Sequence, residues 1–282
     1  MKWWKRVGIY FVLAAVGTLA GLTFNLEPEA TDAQSTRQYI ALGDSVAAGA
    51  GLTPYGATAE GQLCNRSTQA YPYRVARSVD MDVQHLACSG AKADEGLYGL
   101  QYRQGVRLAP QLDQAFANGT PDLVTITIGG NDMRWSQFVR DCYTWNCGSL
   151  WDDFRAELYL ADLQWELYRT MYEIDYRSQG QPPRVVLTGY FTPLGDLSCV
   201  PEGQVAPEET AWLQGWLDQL NGAIADAAAW YNFAQFAPVD FSDHGLCSAL
   251  PWVQGLNDES PLHPTVAGQT AIARSVIRTI NN

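Results

Sequence analysis

Short apolar runs that end in glycine or polar residues recur along the chain and predict buried β-strands. Runs this short and this uniformly apolar are typical of strands that are covered on both faces. The run "DLVTITIGGND" is the strongest of them because it is rich in β-branched residues. The five predicted strands are YIAL (which ends at Gly43), VQHLAC, DLVTITIGGND, RVVLTGY and FAQFAPVDF.

Segments with apolar residues at helical spacing separate these strands. The longest starts at Trp151 and closes at Gly180, and Pro72 and Pro264 stand near the starts of two others. Strands that alternate with helices predict right-handed crossovers. We therefore expect an α/β fold with a mainly parallel five-stranded sheet and helices on both faces.

Two polar clusters follow predicted strands, Asp44-Ser45 after the first and Asn131-Asp132 after the third. Ligands of parallel sheets bind at the carboxyl ends of the strands, so we expect these clusters to share one site. The residues after Ser45 are small and leave its hydroxyl uncovered. A serine nucleophile needs a base, and the three histidines are the candidates: His85 within a strand, His244 in a polar loop and His263 before a helix.

The N-terminal residues predict a targeting segment. Lys2, Lys5 and Arg6 precede a long apolar run without charge, which is typical of an export signal. We predict a cleaved signal over residues 1–33, a secreted or extracytoplasmic protein, and a single domain over residues 34–282. The alternative is an uncleaved membrane anchor formed by residues 7–24.

The composition and net charge of the chain disfavour some classes of binding partner. The chain has 282 residues, 47% hydrophobic content and a formal net charge of −12. The hydrophobic content is sufficient for a packed core, whereas the negative charge disfavours nucleic acids and anionic membranes as partners. We expect no nucleic-acid partner, membrane contact only through the possible anchor, and a monomer.

Six cysteines in an exported chain predict disulfides, although spacing alone leaves about fifteen pairings open. Cys142 and Cys147 flank a short loop that a bridge could close. The chain has no CxxC motif and only three histidines, so we predict neither a structural zinc site nor any other metal or cofactor.

Four sequence blocks together resemble the GDSL, or SGNH, hydrolases, a family of esterases and lipases. The blocks are "GDS" ending at Ser45, "ACSGA" with Gly90, "GGND" with Asn131, and "HPTVAG" beginning at His263. They occur in the order that the family shows, and the resemblance runs from about Gln38 to the C-terminal helix. It implies a flavodoxin-like three-layer α/β/α sandwich. The GxSxG motif of α/β-hydrolases is absent around Ser45.

The resemblance also implies roles for the matched residues. Ser45 would be the nucleophile and His263 the base. The backbone N–H groups of Ser45 and Gly90 and the side-chain amide of Asn131 would form the oxyanion hole. Asn131 is a neutral donor that does not titrate, and Gly90 lets the backbone approach the substrate.

One position departs from the family pattern. Many members carry Asp three residues before the histidine, whereas this chain has Ser260. A carboxylate normally orients the imidazole. We predict that a main-chain carbonyl near Ser260 replaces it, with the carboxylates of Asp258 or Glu259 as alternatives.

Resemblance to the secreted bacterial branch implies three sequential disulfides: Cys64–Cys88, Cys142–Cys147 and Cys199–Cys247.

The expected substrates are carboxylic esters, either lipids or simple acyl esters. A polysaccharide O-acetyl esterase, a phospholipase and an envelope acyltransferase are alternatives on the same site, and a non-catalytic binding module is a further one. We expect Trp135 near the site, and Trp165, Trp212 and Trp216 in helix packing.

Overall fold

A computed structural model of the protein describes residues 37–195, 198–201 and 204–282. The predicted export signal, residues 1–33, lies outside the described residues. No helix in the described ranges has both the length and the apolar character needed to span a membrane.

A five-stranded parallel sheet forms the centre of the fold. Its strand order is β2-β1-β5-β6-β7, and a separate antiparallel hairpin pairs β3 with β4. The predicted parallel α/β sheet is confirmed. The strands are β1 (Gln38–Gly43), β2 (Asp82–His85), β3 (Gln101–Arg103), β4 (Val106–Leu108), β5 (Leu123–Thr127), β6 (Arg184–Thr188) and β7 (Ala234–Ala237).

Helices cover the sheet in two layers, one containing the packed pair α3 and α8 and the other the packed pair α6 and α7. All residues of β5 are buried, as expected for a strand covered on both faces. The helices are α1 (Ser45–Ala48), α2 (Ala59–Leu63), α3 (Tyr71–Val79), α4 (Gln111–Ala115), α5 (Trp135–Thr144), α6 (Leu150–Arg177), α7 (Pro207–Ala229) and α8 (Val266–Asn281).

The structure differs from the sequence prediction mainly in short elements. The predicted strand VQHLAC contributes only three residues to the sheet, and FAQFAPVDF contributes only four. Helices α1, α2, α4 and α5 and the β3–β4 hairpin were not predicted. Helices α1, α2 and α4 have five residues or fewer, and helices so short depend on tertiary contacts rather than on local propensity. Helix α5 has ten residues.

The sheet order creates a crevice at the carboxyl ends of β1 and β5. Strand β1 pairs with β2 on one side and with β5 on the other, so the chain connections leave the sheet in opposite directions at this point. Gly43 ends β1 with φ +133°, and a Cβ there would lie 2.2 Å from the carbonyl oxygen of Thr127. Only glycine permits this close approach of the two strand ends.

Three disulfides join Cys64 to Cys88, Cys142 to Cys147 and Cys199 to Cys247, the pairing that the family resemblance implied. Residues Thr36–Asn282 form one compact unit. This unit contains the complete sheet, the hydrophobic core and all three disulfides. A unit with its own core has what it needs to fold independently.

Candidate active site

Ser45 is the first residue of α1 and lies at the carboxyl end of β1. Asp44 caps this helix, because its side chain accepts a 2.8 Å hydrogen bond from the N–H of Val46. The turn is held against β5 by a 2.9 Å hydrogen bond from the Asp44 N–H to the Thr127 carbonyl. The Ser45 side chain is thereby fixed at the wall of a cleft.

The hydroxyl of Ser45 lies 2.8 Å from Nε2 of His263, although the two residues are 218 positions apart. On the other side of the ring, Nδ1 lies 3.1 Å from the carbonyl oxygen of Pro261. A carbonyl can only accept a hydrogen bond, so Nδ1 carries the proton. Nε2 is then free to accept the Ser45 proton, as a general base must.

The imidazole of His263 faces two main-chain carbonyls, those of Pro261 and Ser260. The Ser260 carbonyl accepts the backbone N–H of His263 at 3.2 Å, and the imidazole hydrogen bond goes to Pro261. Leu262 adopts a left-handed conformation with φ +62°, which turns the chain so that the Pro261 carbonyl faces the ring. Both carbonyls lie at or directly beside Ser260, the position near which the sequence predicts a main-chain acceptor.

Neither carboxylate alternative contacts the imidazole. Asp258 accepts a 2.6 Å hydrogen bond from the N–H of Gly255, and Glu259 accepts one of 2.8 Å from the hydroxyl of Tyr55. Both side chains stabilise the loop that carries His263 instead.

Two buried glutamines, which the sequence pattern gave no reason to select, connect the His263 side of the site to the Ser45 side. Gln254 donates a 2.8 Å hydrogen bond to the carbonyl of Ala50, and its backbone N–H donates to the carbonyl of His263 at 2.8 Å. Gln269 in α8 donates a 2.9 Å hydrogen bond to the carbonyl of Val46. These contacts fix the loop of His263 relative to helix α1.

The three predicted oxyanion donors lie on neighbouring loops at the carboxyl edge of the sheet. Gly90 has φ +82°, and its N–H makes no hydrogen bond to the residues that the structure describes. A Cβ at Gly90 would meet nothing closer than 3.7 Å, so backbone conformation rather than space requires glycine there. Asn131 lines the same cleft as Ser45 and donates one amide hydrogen to the carbonyl of Ala91 at 2.9 Å. Its second amide hydrogen is available to a ligand.

The Gly90 loop is braced from behind. Gln101 and Arg103 each donate a 3.0 Å hydrogen bond to the carbonyl of Ser89. The Cys64–Cys88 disulfide ends two residues before Gly90. These contacts hold the loop in place before substrate binds, so little free energy is spent on reorganising it when negative charge develops on the substrate.

Tyr190 is a further site residue that the sequence pattern did not single out. Its hydroxyl donates a short hydrogen bond to Oδ2 of Asp44 and accepts the N–H of Gly130 at 3.0 Å. Tyr190 thus connects the turn of Ser45 to the loop of Asn131. The available signal was its position at the end of the predicted strand RVVLTGY, since the two polar clusters also lie at strand ends.

Burial dominates the electrostatics of the site. It lowers the pKa of His263, and the carbonyls of Pro261 and Ser260 oppose this shift. Burial also raises the pKa of Asp44 to about 6, against hydrogen bonds from Tyr190 and backbone N–H groups. Asp132, buried beside Asn131, has its pKa raised to about 7 for the same reason. The site therefore favours neutral forms of its titratable groups.

A cleft of about 630 Å³ extends from Ser45 and His263 between α5, α7 and the loops after β6 and before α8. Its walls are largely apolar, and Trp135 is one of the wall residues, as expected from the sequence. Other apolar wall residues are Val139, Phe191, Leu194, Leu213, Leu217, Leu220, Leu246 and Leu262. No group of three or more His, Cys, Asp or Glu side chains suited to a metal occurs in the part of the chain that the structure describes.

The sequence profile of the GDSL-like lipase/acylhydrolase family matches residues 41–271, a span that includes Ser45, Gly90, Asn131 and His263. The chain belongs to this family. It is similar to Lipase 2 of Streptomyces coelicolor, with 32% identity over 282 residues that cover 93% of this chain and 92% of that lipase. A lipase of Streptomyces rimosus is 33% identical over 241 residues, covering 82% of each chain.

Solved structures agree with this assignment. The crystal structure of the extracellular lipase from Streptomyces rimosus matches with a TM-score of 0.68 at 30% identity, covering 87% of this chain and 98% of that one. A phospholipase A1 from Streptomyces albidoflavus shares the fold, with a TM-score of 0.68 at 24% identity. This GDSL-family protein is therefore a carboxylic ester hydrolase, and its substrates are esters.

Proposed function

We propose that this GDSL-family hydrolase cleaves lipid acyl esters through a covalent acyl-enzyme on Ser45. The observation that carries the proposal is the 2.8 Å contact between the Ser45 hydroxyl and Nε2 of His263 at the wall of an apolar cleft. The contact supplies a nucleophile with its base, and the cleft supplies a surface that an acyl chain can cover.

In the first half of the reaction, Oγ of Ser45 attacks the ester carbonyl carbon as its proton passes to Nε2 of His263. The negative charge that develops on the carbonyl oxygen is stabilised by the N–H groups of Ser45 and Gly90 and by the amide of Asn131. The tetrahedral intermediate then collapses. The bond to the alcohol oxygen breaks, and the alcohol leaves with the proton from Nε2.

In the second half, water attacks the acyl carbon and gives a proton to Nε2 of His263. Collapse of this intermediate breaks the bond to Oγ, which takes the proton back and releases the carboxylic acid. The Pro261 carbonyl, 3.1 Å from Nδ1, stabilises the imidazolium that forms in both halves. It does so without the full charge of an aspartate.

The walls of the cleft favour an acyl chain longer than acetyl. Several leucines of α7 and of neighbouring loops line it, and each methylene of a chain that is removed from water gains about 0.8 kcal/mol. The two lipases of Streptomyces that are 32% and 33% identical to this chain are consistent with a lipid substrate.

A fluorophosphonate probe and a substrate series test this function. The probe should label the parent protein and the Ser136→Ala variant, whose mutated residue lines the same cleft, but not Ser45→Ala. Rates on p-nitrophenyl esters should increase from the acetate to longer chains, with little acetate released from acetylated xylan. The highest activity on acetylated xylan would instead support a polysaccharide esterase, and absence of labelling would support a non-catalytic binding module.

We also propose that residues 34–282 are the mature, exported and monomeric domain. Three disulfides favour an oxidising compartment, and the similar lipase from Streptomyces rimosus is an extracellular protein. N-terminal sequencing of protein recovered from the culture medium tests the cleavage. Recovery of the protein only in the membrane fraction, with residues 7–24 intact, would favour the anchor.

A further inference from the structure

Four large apolar side chains are exposed together where α5 passes into α6. Trp145, Leu150, Trp151 and Phe154, here named the outer patch, have exposed fractions of 82%, 89%, 64% and 48%. The rings of Trp151 and Phe154 stack with their centroids 5.5 Å apart. A concentration of exposed apolar surface is uncommon in a protein that contacts only water, and it indicates a binding surface.

The outer patch begins close in sequence to a wall of the cleft. Cys142 and Tyr143 line the cleft, and Trp145 follows them two residues later. The segment between α5 and α6 is constrained at both ends, by the Cys142–Cys147 disulfide and by the capping box of Ser149 at the start of α6. The segment that carries the rings is therefore a rigid support, and it joins the wall of the cleft at Tyr143.

The outer patch is also uncharged in a strongly acidic protein. No side chain from Thr144 to Trp151 is charged, whereas the whole chain carries −12. Two of the nearby acids, Asp141 and Asp152, pair with Arg155 at 3.8 Å and 2.5 Å, whereas Glu157, one turn after Phe154, is exposed. Asp153 accepts hydrogen bonds from the indole N–H groups of two tryptophans in α7. An uncharged aromatic surface fits an electrically neutral lipid surface, because indole rings are stable at the boundary between headgroups and acyl chains.

We propose that the outer patch docks the protein on the surface of electrically neutral lipid, such as a phosphatidylcholine layer, and thereby places the cleft opening at that surface. This inference rests on the proposed function, because it assigns a lipid aggregate as the source of the ester. Docking is separate from chemistry, since none of the four side chains lines the cleft.

The test measures binding to phosphatidylcholine vesicles by sedimentation. It uses residues 36–282, the compact unit with its own core, because the apolar run in residues 7–24 would itself bind vesicles. All variants carry Ser45→Ala, so that hydrolysis does not alter the vesicles. The patch variant is Trp145→Ser with Trp151→Ser.

The chain offers a matched control, Trp165→Ser with Trp230→Ser. These two indoles are 66% and 74% exposed, comparable to those of the outer patch. Trp165 lies about 20 Å further along α6, and Trp230 contacts the ring of Tyr168 on the same helix. The control therefore removes a similar amount of exposed aromatic surface from residues that do not line the cleft.

We expect the patch variant to lose at least about tenfold in vesicle affinity. Docking would bury the two indoles in the lipid, and removing their apolar area from water favours binding by at least that factor. The control variant should change by less than about twofold. Anionic phosphatidylglycerol vesicles should bind the parent more weakly, since the protein is acidic. Equal losses for both variants, or no loss for the patch variant, would overturn the inference.

Two further measurements separate the remaining explanations. With Ser45 restored, the patch variant should hydrolyse a soluble short-chain ester at the parent rate, which shows that it is folded. A dimer that dissociates on mutation of Trp145 and Trp151, together with no vesicle binding, would assign the patch to a second copy and refute docking. Patch-dependent vesicle binding without any lipid hydrolysis would leave docking standing and refute the proposed lipid activity.

Discussion

The phenol hydroxyl of Tyr190 donates a hydrogen bond to Oδ2 of Asp44, the residue directly before Ser45. The same hydroxyl accepts the N–H of Gly130, directly before Asn131. One side chain from the loop after β6 therefore connects the turn of the proposed nucleophile to the loop of a proposed oxyanion donor. We regard Tyr190 as a positioning residue, since it acts through its two neighbours.

Replacing Tyr190 with Phe should lower kcat on the order of tenfold and leave KM nearly unchanged, because a small misplacement of reacting groups is costly. The buried Asp44 carboxylate and Gly130 N–H would lose a partner, which costs on the order of 1–3 kcal/mol in the free energy of unfolding. Steady-state kinetics well below the melting temperature check this. Tyr102→Phe, at a 70% exposed tyrosine, is the control. A kcat equal to the parent value would refute the positioning role.

Replacing Asn131 with Ala should reduce kcat by about 10²–10³, the usual cost of losing one oxyanion donor. The variant also loses the 2.9 Å hydrogen bond to Ala91, so its thermal stability must be measured alongside its activity. Asn118→Ala, at an exposed asparagine, is the matched control and should behave as the parent. Full activity of Asn131→Ala would exclude the amide from the oxyanion hole.

Replacing Ser260 with Ala should retain most of the activity. The groups that face the imidazole are the main-chain carbonyls of Pro261 and Ser260, and a side-chain substitution removes neither of them. Purified Ser260→Ala and Ser45→Ala are compared on the same ester. A loss in Ser260→Ala as deep as that in Ser45→Ala would show that the serine side chain itself is needed.

The pH profile of kcat/KM should reflect the lowered pKa of His263. A general base must be neutral, so activity should rise with pH and reach its plateau through a midpoint below the ordinary histidine value of 6.5. The shift comes from burial of the ring, which disfavours the imidazolium. A midpoint above 6.5 would contradict this, and it would indicate that a carboxylate faces the ring in solution.

Stability at acid pH should depend on His85, whose burial lowers its pKa to about 3. Between the unfolded value of 6.5 and about 3, the unfolded chain binds a proton that the folded one does not, so stability falls as the pH falls. Fully developed, this difference in proton binding lowers the free energy of unfolding by on the order of 5 kcal/mol.

The variant His85→Gln should flatten the dependence of the unfolding free energy on pH across that range. Gln keeps a donor for the Ala47 carbonyl, to which the imidazole Nε2 now hydrogen bonds at 3.0 Å. The pKa values of Asp44 and Asp132 are raised to about 6 and about 7, so their effect on stability has the opposite sign. The folded protein becomes less stable as the pH rises and these two carboxyl groups ionise. The difference between variant and parent therefore isolates His85. Urea unfolding at each pH gives the free energy of unfolding of the variant and of the parent. If the two plots of this free energy against pH run parallel across pH 3–6.5, the prediction is contradicted.

The sequence by itself determined the sheet, the long helices and the ends of the strands at which the site lies. These features rest on local patterns: period and length distinguish α6 from β5, and a glycine after a buried run marks the end of β1. It also supplied the candidate nucleophile, base and donors, because Ser45, Gly90, Asn131 and His263 lie in four short blocks that occur in the order shown by the family they resemble.

Trp165 shows that the local sequence pattern does not predict which face of a helix is exposed to solvent. The sequence prediction assigned it to helix packing, but its ring is 66% exposed, so that prediction was wrong. Trp212 and Trp216, assigned in the same way, are at least partly buried and donate to Asp153. Which face of a long helix meets solvent depends on the neighbouring helices, and aromatic residues of α6 occur on both faces.

Only the tertiary structure decided how the site is held. The Pro261 carbonyl reaches the imidazole because Leu262 adopts a left-handed turn, and Gln254 and Tyr190 act on residues far away in the chain. Hydrogen bonds of this kind depend on the packing of separate elements to within about an ångström. Neither hydrophobic period nor residue type contains that information, so these contacts follow from the folded arrangement alone.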